Sequence, residues 1–259
     1  MKNQSSIDKI FNFKNKIIVI SGTSGQLGSS FAELFLRNGS IVVGIDKKKN
    51  QIKDKNFFFF KTDISNSKKI KLIIKLILNK FNKIDVIINN AGLSFYTRLE
   101  NRTQKELQST FDTNLVGTIN ICKNYLNFHK KFKLKKCNII NIGSIYGSLS
   151  PNFEIYNKGD NINSEIYGAT KAGIIQFTKY LSVYAAKYNI NVNCLSPGGI
   201  INSNKRQNKK FVKKYSKNVP LKRMANTEDF FTSIIFLASD QSSYITGQNI
   251  IIDGGLSVW

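Results

Sequence analysis

The sequence predicts an α/β fold: a doubly wound parallel sheet of about seven strands, flanked by helices, in a single domain over residues 1–259. Three observations predict it. Short apolar runs rich in isoleucine and valine alternate with longer segments of helical rhythm, the order that builds a parallel sheet. The first run enters a glycine-rich turn that opens an amphipathic stretch, giving strand, turn and helix in succession. No linker, internal repeat or low-complexity tract marks a second domain.

Residues 16–20 read as a buried parallel strand. They run into Ser21-Gly22-Thr23-Ser24-Gly25-Gln26-Leu27-Gly28, and residues 29–36 continue as an amphipathic helix. Glycines in that context let the backbone approach a pyrophosphate seated at the helix N-terminus. A second strand, 40–45, ends at Asp46. An acid there can accept both hydroxyls of an adenosine ribose and repels a 2′-phosphate, which favours NAD over NADP. Lys47, Lys48 and Lys49 pull the other way, and a plain turn role for Asp46 stays open. The third strand, 57–60, is four phenylalanines; Asp63 beyond it is placed to meet an adenine amino group.

Residues 67–81 predict a helix with a wet lysine face, and 83–88 a fourth strand delivering Asn89-Asn90-Ala91-Gly92. A long helix is expected over 107–126. It contains Asn114, whose burial demands hydrogen bonds and which can bend the helix or hold a water. A fifth strand, 138–144, ends in Ser144, a candidate donor to a substrate carbonyl. A sixth, 190–195, runs into Ser196-Pro197-Gly198-Gly199-Ile200, and a last strand is expected over 250–255.

Between the fifth and sixth strands stands Tyr167-Gly168-Ala169-Thr170-Lys171. Tyrosine and lysine four apart share a helix face. A fixed ammonium lowers the pKa of a neighbouring phenol, which can then exchange a proton with a hydroxyl or carbonyl. The same spacing also occurs in ordinary surface pairs.

Composition bounds the function class. The net charge of +23, from 39 basic and 16 acidic residues, raises nucleic acid as a partner. The lysines are scattered along the chain, however, and asparagine, isoleucine and phenylalanine are abundant with them. This reads as a bias of the whole sequence, and no nucleic-acid partner is expected. No apolar run reaches ~18 residues, so no membrane span is expected. Cys122, Cys137 and Cys194 form neither a zinc motif nor a disulfide framework, which suits a reducing cytoplasm. With His129 as the only histidine, no metal site is expected.

Taken in order, these pieces resemble the short-chain dehydrogenase/reductase family in its compact form, from Lys16 to Gly255. They are the glycine turn, Asp63, Asn89-Asn90-Ala91-Gly92, Asn114, Ser144, Tyr167 with Lys171, Pro197-Gly198, Gly247-Gln248 and Asp253-Gly254-Gly255. The resemblance implies a Rossmann-type domain and a nicotinamide cofactor, NAD(H) in preference to NADP(H). It implies catalytic roles for Asn114, Ser144, Tyr167 and Lys171: tyrosine as general acid/base, lysine tuning it and holding the nicotinamide ribose, serine polarising the carbonyl, asparagine supporting a water of the proton relay. It also places Gly22, Ser24, Gln26, Leu27, Gly28, Asp46, Asp63, Ile64, Asn90, Ala91, Gly92, Tyr167, Lys171, Pro197, Gly198 and Ile200 at the cofactor. A homotetramer or homodimer is implied as well, consistent with the apolar helix at 172–186 and the ending Leu256-Ser257-Val258-Trp259.

Two departures stand out. Compact members place glycine at the second, sixth and eighth positions of the turn; here the glycines are Gly22, Gly25 and Gly28, and Gln26 holds the sixth position. The stretch from Ser144 to Tyr167 is also longer than usual, which makes 145–164 an insert over the substrate pocket, and long loops of this kind are often functional. Its Ser144-Ile145-Tyr146-Gly147 and Pro151-Asn152-Phe153-Glu154-Ile155-Tyr156 segments resemble members from bacterial surface-sugar pathways, those of nonulosonates, flagellin glycans and lipopolysaccharide.

Glu154, Asn157, Lys158 and Asn161 near the pocket mouth would suit a polyhydroxylated or anionic substrate; a solvated loop is the alternative. Residues 200–218 are expected to form a substrate lid, with Lys205, Arg206, Lys209 and Lys210 either meeting an anion or forming a solvated face. Residues 1–15 read as a polar N-terminal extension.

The leading expectation is an NAD-linked oxidoreductase that interconverts an alcohol and a ketone, most simply on a sugar in carbohydrate metabolism. An NADPH-dependent 3-oxoacyl-carrier-protein reductase is the alternative; such enzymes have a shorter serine-to-tyrosine loop. A non-catalytic dinucleotide-binding protein is the third reading, although decayed relatives usually lose the tyrosine or the lysine.

Overall fold

Apolar runs buried on both faces become the interior strands of a sheet covered by helices on each side. The computed structural model describes residues 11–156, 162–202 and 207–259. The strands are β1 (Ile17–Ser21), β2 (Ile41–Asp46), β3 (Phe57–Lys61), β4 (Val86–Asn89), β5 (Cys137–Ile142), β6 (Ile190–Pro197) and β7 (Asn249–Ile252). Every neighbouring pair is parallel, in the order β3-β2-β1-β4-β5-β6-β7. The chain crosses over between β1 and β4, so a cleft opens there beyond the carboxyl ends of the strands.

The helices are α1 (Gln26–Arg37), α2 (Ser67–Phe81), α3 (Gln104–Phe111), α4 (Gly117–Phe132), α5 (Glu165–Ala186), α6 (Lys209–Asn218) and α7 (Phe231–Ala238). Strand side chains alternate between faces. Ile17 and Val19 of β1 therefore pack with α2, α4 and α5, while Ile18 and Ile20 pack with α1 and α7. Among the described residues no helix is long and apolar enough to cross a membrane.

Two expectations change, and one residue of the N-terminal extension takes a place in the core: Phe13 is 3% exposed and meets the Phe35 ring edge-on at 5.2 Å. An aromatic within a polar stretch found a gap beside α1 that the local pattern did not reveal. The single helix expected over 107–126 is instead α3, a π-helical segment Asp112–Val116 and α4. The cause is Asn114, 1% exposed, whose carbonyl accepts from Leu93 N at 2.7 Å. Its amide donates to Leu93 O and Thr170 Oγ1, both at 3.0 Å, and the helix widens to bring the side chain there. The last strand stops at Ile252, because Asp253 accepts from Gly255 N and Ser257 N and turns the chain.

Candidate active site

The cleft, of about 1240 Å³, begins at the turn between β1 and α1. Gly22 has φ +76°, and a Cβ there would lie 2.7 Å from Ala91 Cα; one on Gly28 would lie 2.1 Å from Gly22 O. The turn is held from the residue after β4, Asn90, which donates through Nδ2 to Ser21 O at 3.1 Å and Gly22 O at 3.2 Å. Ser21 Oγ accepts from Asn90 N and Ala91 N, each at 3.1 Å. Helix α1 starts with no side-chain cap and no acid in its first turn. Its leading N–H groups and dipole thus suit an anion, and the glycines leave the backbone bare, so these residues fit a dinucleotide pyrophosphate.

At the far end of this half, Asp46 accepts from Ser24 N at 3.0 Å and Lys48 N at 2.9 Å. Lys47 turns to Asp63, with Nζ 2.9 Å from its carboxylate. Burial pushes the Asp63 carboxyl up, but Lys47 and hydrogen bonds from Ser65 outweigh it and leave the group below its ordinary value.

Helix α5 opens on Ser164, whose hydroxyl accepts from Tyr167 N at 3.3 Å. Its orientation is set from below by a buried polar ladder: Asn89 Nδ2 donates to Asn141 Oδ1 at 2.8 Å, and Asn141 Nδ2 to Thr178 Oγ1 at 2.9 Å. Lys171 is 4% exposed; its Nζ donates to Ile142 O at 2.7 Å and lies 5.6 Å from the Tyr167 ring centre. Burial brings it down to about 8.

The phenol does not follow the expected direction. Burial raises Tyr167 above its ordinary value, and a hydrogen bond with Ser144 only partly offsets this. The lysine is spent on a carbonyl while both groups are withdrawn from water, so desolvation dominates.

Every residue assigned to the cofactor, with Ser144, lines this one cleft. Asn114 does not; it stands behind the cleft, fixing Leu93 and Thr170.

The other half of the cleft holds residues that the sequence did not single out. Tyr96, Phe211, Tyr215 and Met224 line it beside Tyr146 and Tyr156 of the insert. The Tyr146 and Tyr156 hydroxyls are 3.3 Å apart, and burial raises the phenols of Tyr96 and Tyr146. Tyr156 packs on Phe211 at 5.3 Å and Phe211 on Tyr215 at 5.9 Å, which joins the insert to α6. The i, i+4 spacing of Phe211 and Tyr215 was the available signal.

Glu154 does not line the cleft; it is exposed, and its carbonyl accepts from Lys214 Nζ at 3.4 Å. Lys209 and Lys210 are exposed on the first turn of α6 and do not line the cleft either. Asn157, Lys158, Asn161, Lys205 and Arg206 lie outside the described residues. The three cysteines are free and buried, and among the described residues no group of acids, cysteines and histidine could hold a metal ion.

A doubly wound sheet with this cleft at its crossover defines a dinucleotide-binding fold. The chain belongs to the short-chain dehydrogenase/reductase family: a family model described as enoyl-(acyl carrier protein) reductase matches residues 23–257. The 3-oxoacyl-(acyl-carrier-protein) reductase FabG of Chlamydia pneumoniae is 32% identical over 258 residues, covering 93% of this chain and 97% of that protein. The post-translational flagellin modification protein A of Campylobacter coli is 28% identical over 260 residues, covering 93% of this chain and 98% of that protein. Among solved structures, a short-chain dehydrogenase from Leptospira borgpetersenii serovar Hardjo-bovis with bound NAD+ superposes with a TM-score of 0.91 at 38% identity, covering 100% of this chain and 98% of that one.

Proposed function

We propose that this protein interconverts an alcohol and a ketone on a small hydroxylated substrate, a sugar or sugar derivative, using NAD(H). The observation that carries the reading is the convergence of Ser144, Tyr167 and Lys171 in one cleft with the bare glycine turn and Asp46. The nicotinamide, when bound, supplies the hydride chemistry. Tyr167 gives its proton to the carbonyl oxygen in reduction and takes it from the hydroxyl in oxidation. Ser144 donates a hydrogen bond to the same oxygen. Lys171 stands one turn away and stabilises negative charge on the phenol as it forms. Asn114 completes the set, supporting the water of the proton relay from the segment it anchors.

Asp46 supports NAD, since a carboxylate at the ribose repels a 2′-phosphate. The NAD+ in the Leptospira structure agrees. The phenol-rich substrate half supports a hydroxylated ligand, and the similarity to a flagellin modification protein points the same way. The exposed Tyr180, Val183 and Tyr184 on α5 support a homodimer or homotetramer, which light scattering tests. Free buried thiols support a cytoplasmic setting.

The test is a fluorescence titration with NADH and NADPH, followed by an NAD-linked screen of sugars and sugar phosphates. Tight NADH and weak NADPH are expected. Preference for NADPH overturns the cofactor assignment and brings forward a second reading, reduction of a 3-oxoacyl thioester. That reading is favoured by the FabG relatives, and turnover of an acetoacetyl thioester would establish it. Binding of neither dinucleotide would leave a non-catalytic protein.

A further inference from the structure

Gln26 lies inside the glycine turn, and nothing in the proposed chemistry needs a side chain there. It is the first residue of α1, so its own N–H belongs to the anion seat. Its side chain leaves that seat and reaches the opposite side of the cleft, where Nε2 donates to Ile201 O at 2.6 Å. Ile201 lies at the root of the segment leading to α6. The root is fastened at its other bonds as well: Ile201 N donates to Ala225 O at 2.8 Å and Asn202 N to Gln207 Oε1 at 3.1 Å, while Gln207 Nε2 donates to Ile200 O at 3.2 Å. Ile200, Asn202 and Gln207 line the cleft, and α6 carries Phe211 and Tyr215 of the substrate half.

We propose that Gln26 is a positioning residue, a clasp that ties the pyrophosphate seat to the strip at 199–202. A glycine cannot make this bond, so the clasp requires a side chain at this position. Because one side chain belongs to both halves, a dinucleotide that orders the start of α1 also steadies the strip at 199–202. This second consequence rests on the proposed dinucleotide function; the clasp itself does not.

The test is hydrogen exchange, followed by mass spectrometry, on the full chain with and without NADH. It compares wild type with Gln26→Met, which keeps length without a donor, and Gln26→Ala. Loss of one part-buried hydrogen bond should speed exchange at the Ile201 and Asn202 amides about fivefold in both variants. The Asn15 amide, bonded to Gly39 O at 2.9 Å, should not change and reports that the fold is intact. NADH should slow exchange over 199–202 in wild type and lose that effect in both variants.

Wild-type exchange in Gln26→Met overturns the clasp, whatever Gln26→Ala does, because the side chain would then act by packing alone. An undiminished NADH effect in the variants overturns the coupling. If wild type binds no NADH, the proposed function fails while the exchange rates of the free proteins still decide the clasp.

Discussion

The two halves of the cleft are built differently. The dinucleotide half is made of strand ends and the turns directly after them: Gly22 to Gly28 after β1, Asp46 at the end of β2 and Asn90 to Gly92 after β4. Its contacts are largely backbone, held by short bonds such as Gly22 N to Ile45 O at 2.8 Å. The substrate half is made of side chains from distant segments that meet only in the fold. Buried Ile155 of the insert packs with Tyr215, Val219 and Met224, and Tyr156 packs on Phe211. Backbone geometry suits a ligand whose phosphates never vary, whereas a side-chain lining can be changed without touching the sheet.

Substitutions should sort by half. The largest effect falls where the halves meet. Tyr167→Phe should lower turnover about 10²–10⁴-fold, as expected for loss of a general acid/base. NADH affinity should change far less. Steady-state rates beside a fluorescence titration measure both, and undiminished turnover would remove Tyr167 from its role.

Next is Gly28→Ala. Its Cβ would lie 2.1 Å from Gly22 O, so the turn must deform. We expect NADH affinity to fall by about tenfold or more, with a stability loss of about 1–3 kcal/mol from overpacking, read by denaturant titration. Wild-type NADH binding would show that the turn yields more easily than its contacts imply.

Lys171 belongs to both halves, and its signature is a pH dependence. Burial holds it at about 8 in the folded protein against an ordinary 10.5. Between those values the unfolded chain binds more protons than the folded one, so stability rises with pH across that window. The gain is complete above 10.5 and is lost as pH falls through about 8. Wild type should therefore gain stability relative to Lys171→Met from pH 8 to 10.5; a flat difference would mean that the ammonium is not desolvated.

The smallest effect expected is that of Phe211→Ala. It removes ring contacts with Tyr156 and Tyr215. Aromatic pairs of this kind contribute about 0.5–1.5 kcal/mol beyond burial, so KM for the substrate should rise about two- to tenfold. NADH affinity should hold. A matching loss of NADH affinity would show that the halves are not separable at this ring.

Much of the first half was legible. The helix expected at 67–81 is α2 to the residue, and the glycine turn, Asp46 and Asn90 meet in one cleft. The second half was legible only in outline. The insert was visible as extra length, yet Glu154, chosen for its charge, is exposed and does not line the cleft, while Phe211 and Tyr215 went unnoticed among five lysines. Charge marks a residue that can meet a ligand; whether it does depends on where its helix face ends up. The Tyr167–Lys171 pair shows the same gap. Helical spacing placed the two on one face, but burial and the Ile142 carbonyl decided the direction of the phenol's shift.

The sequence by itself determined the alternation of strand and helix, the turn that bares the start of α1, and the presence of Ser144, Tyr167 and Lys171. These are local properties, set by periodicity and by which residues a turn admits. Tertiary structure decided the break around Asn114, the burial of Phe13, the aromatic wall joining the insert to α6 and the reach of Gln26 to Ile201. Each depends on a contact between residues far apart in the chain, where packing volume and desolvation, which no local pattern encodes, choose the partner.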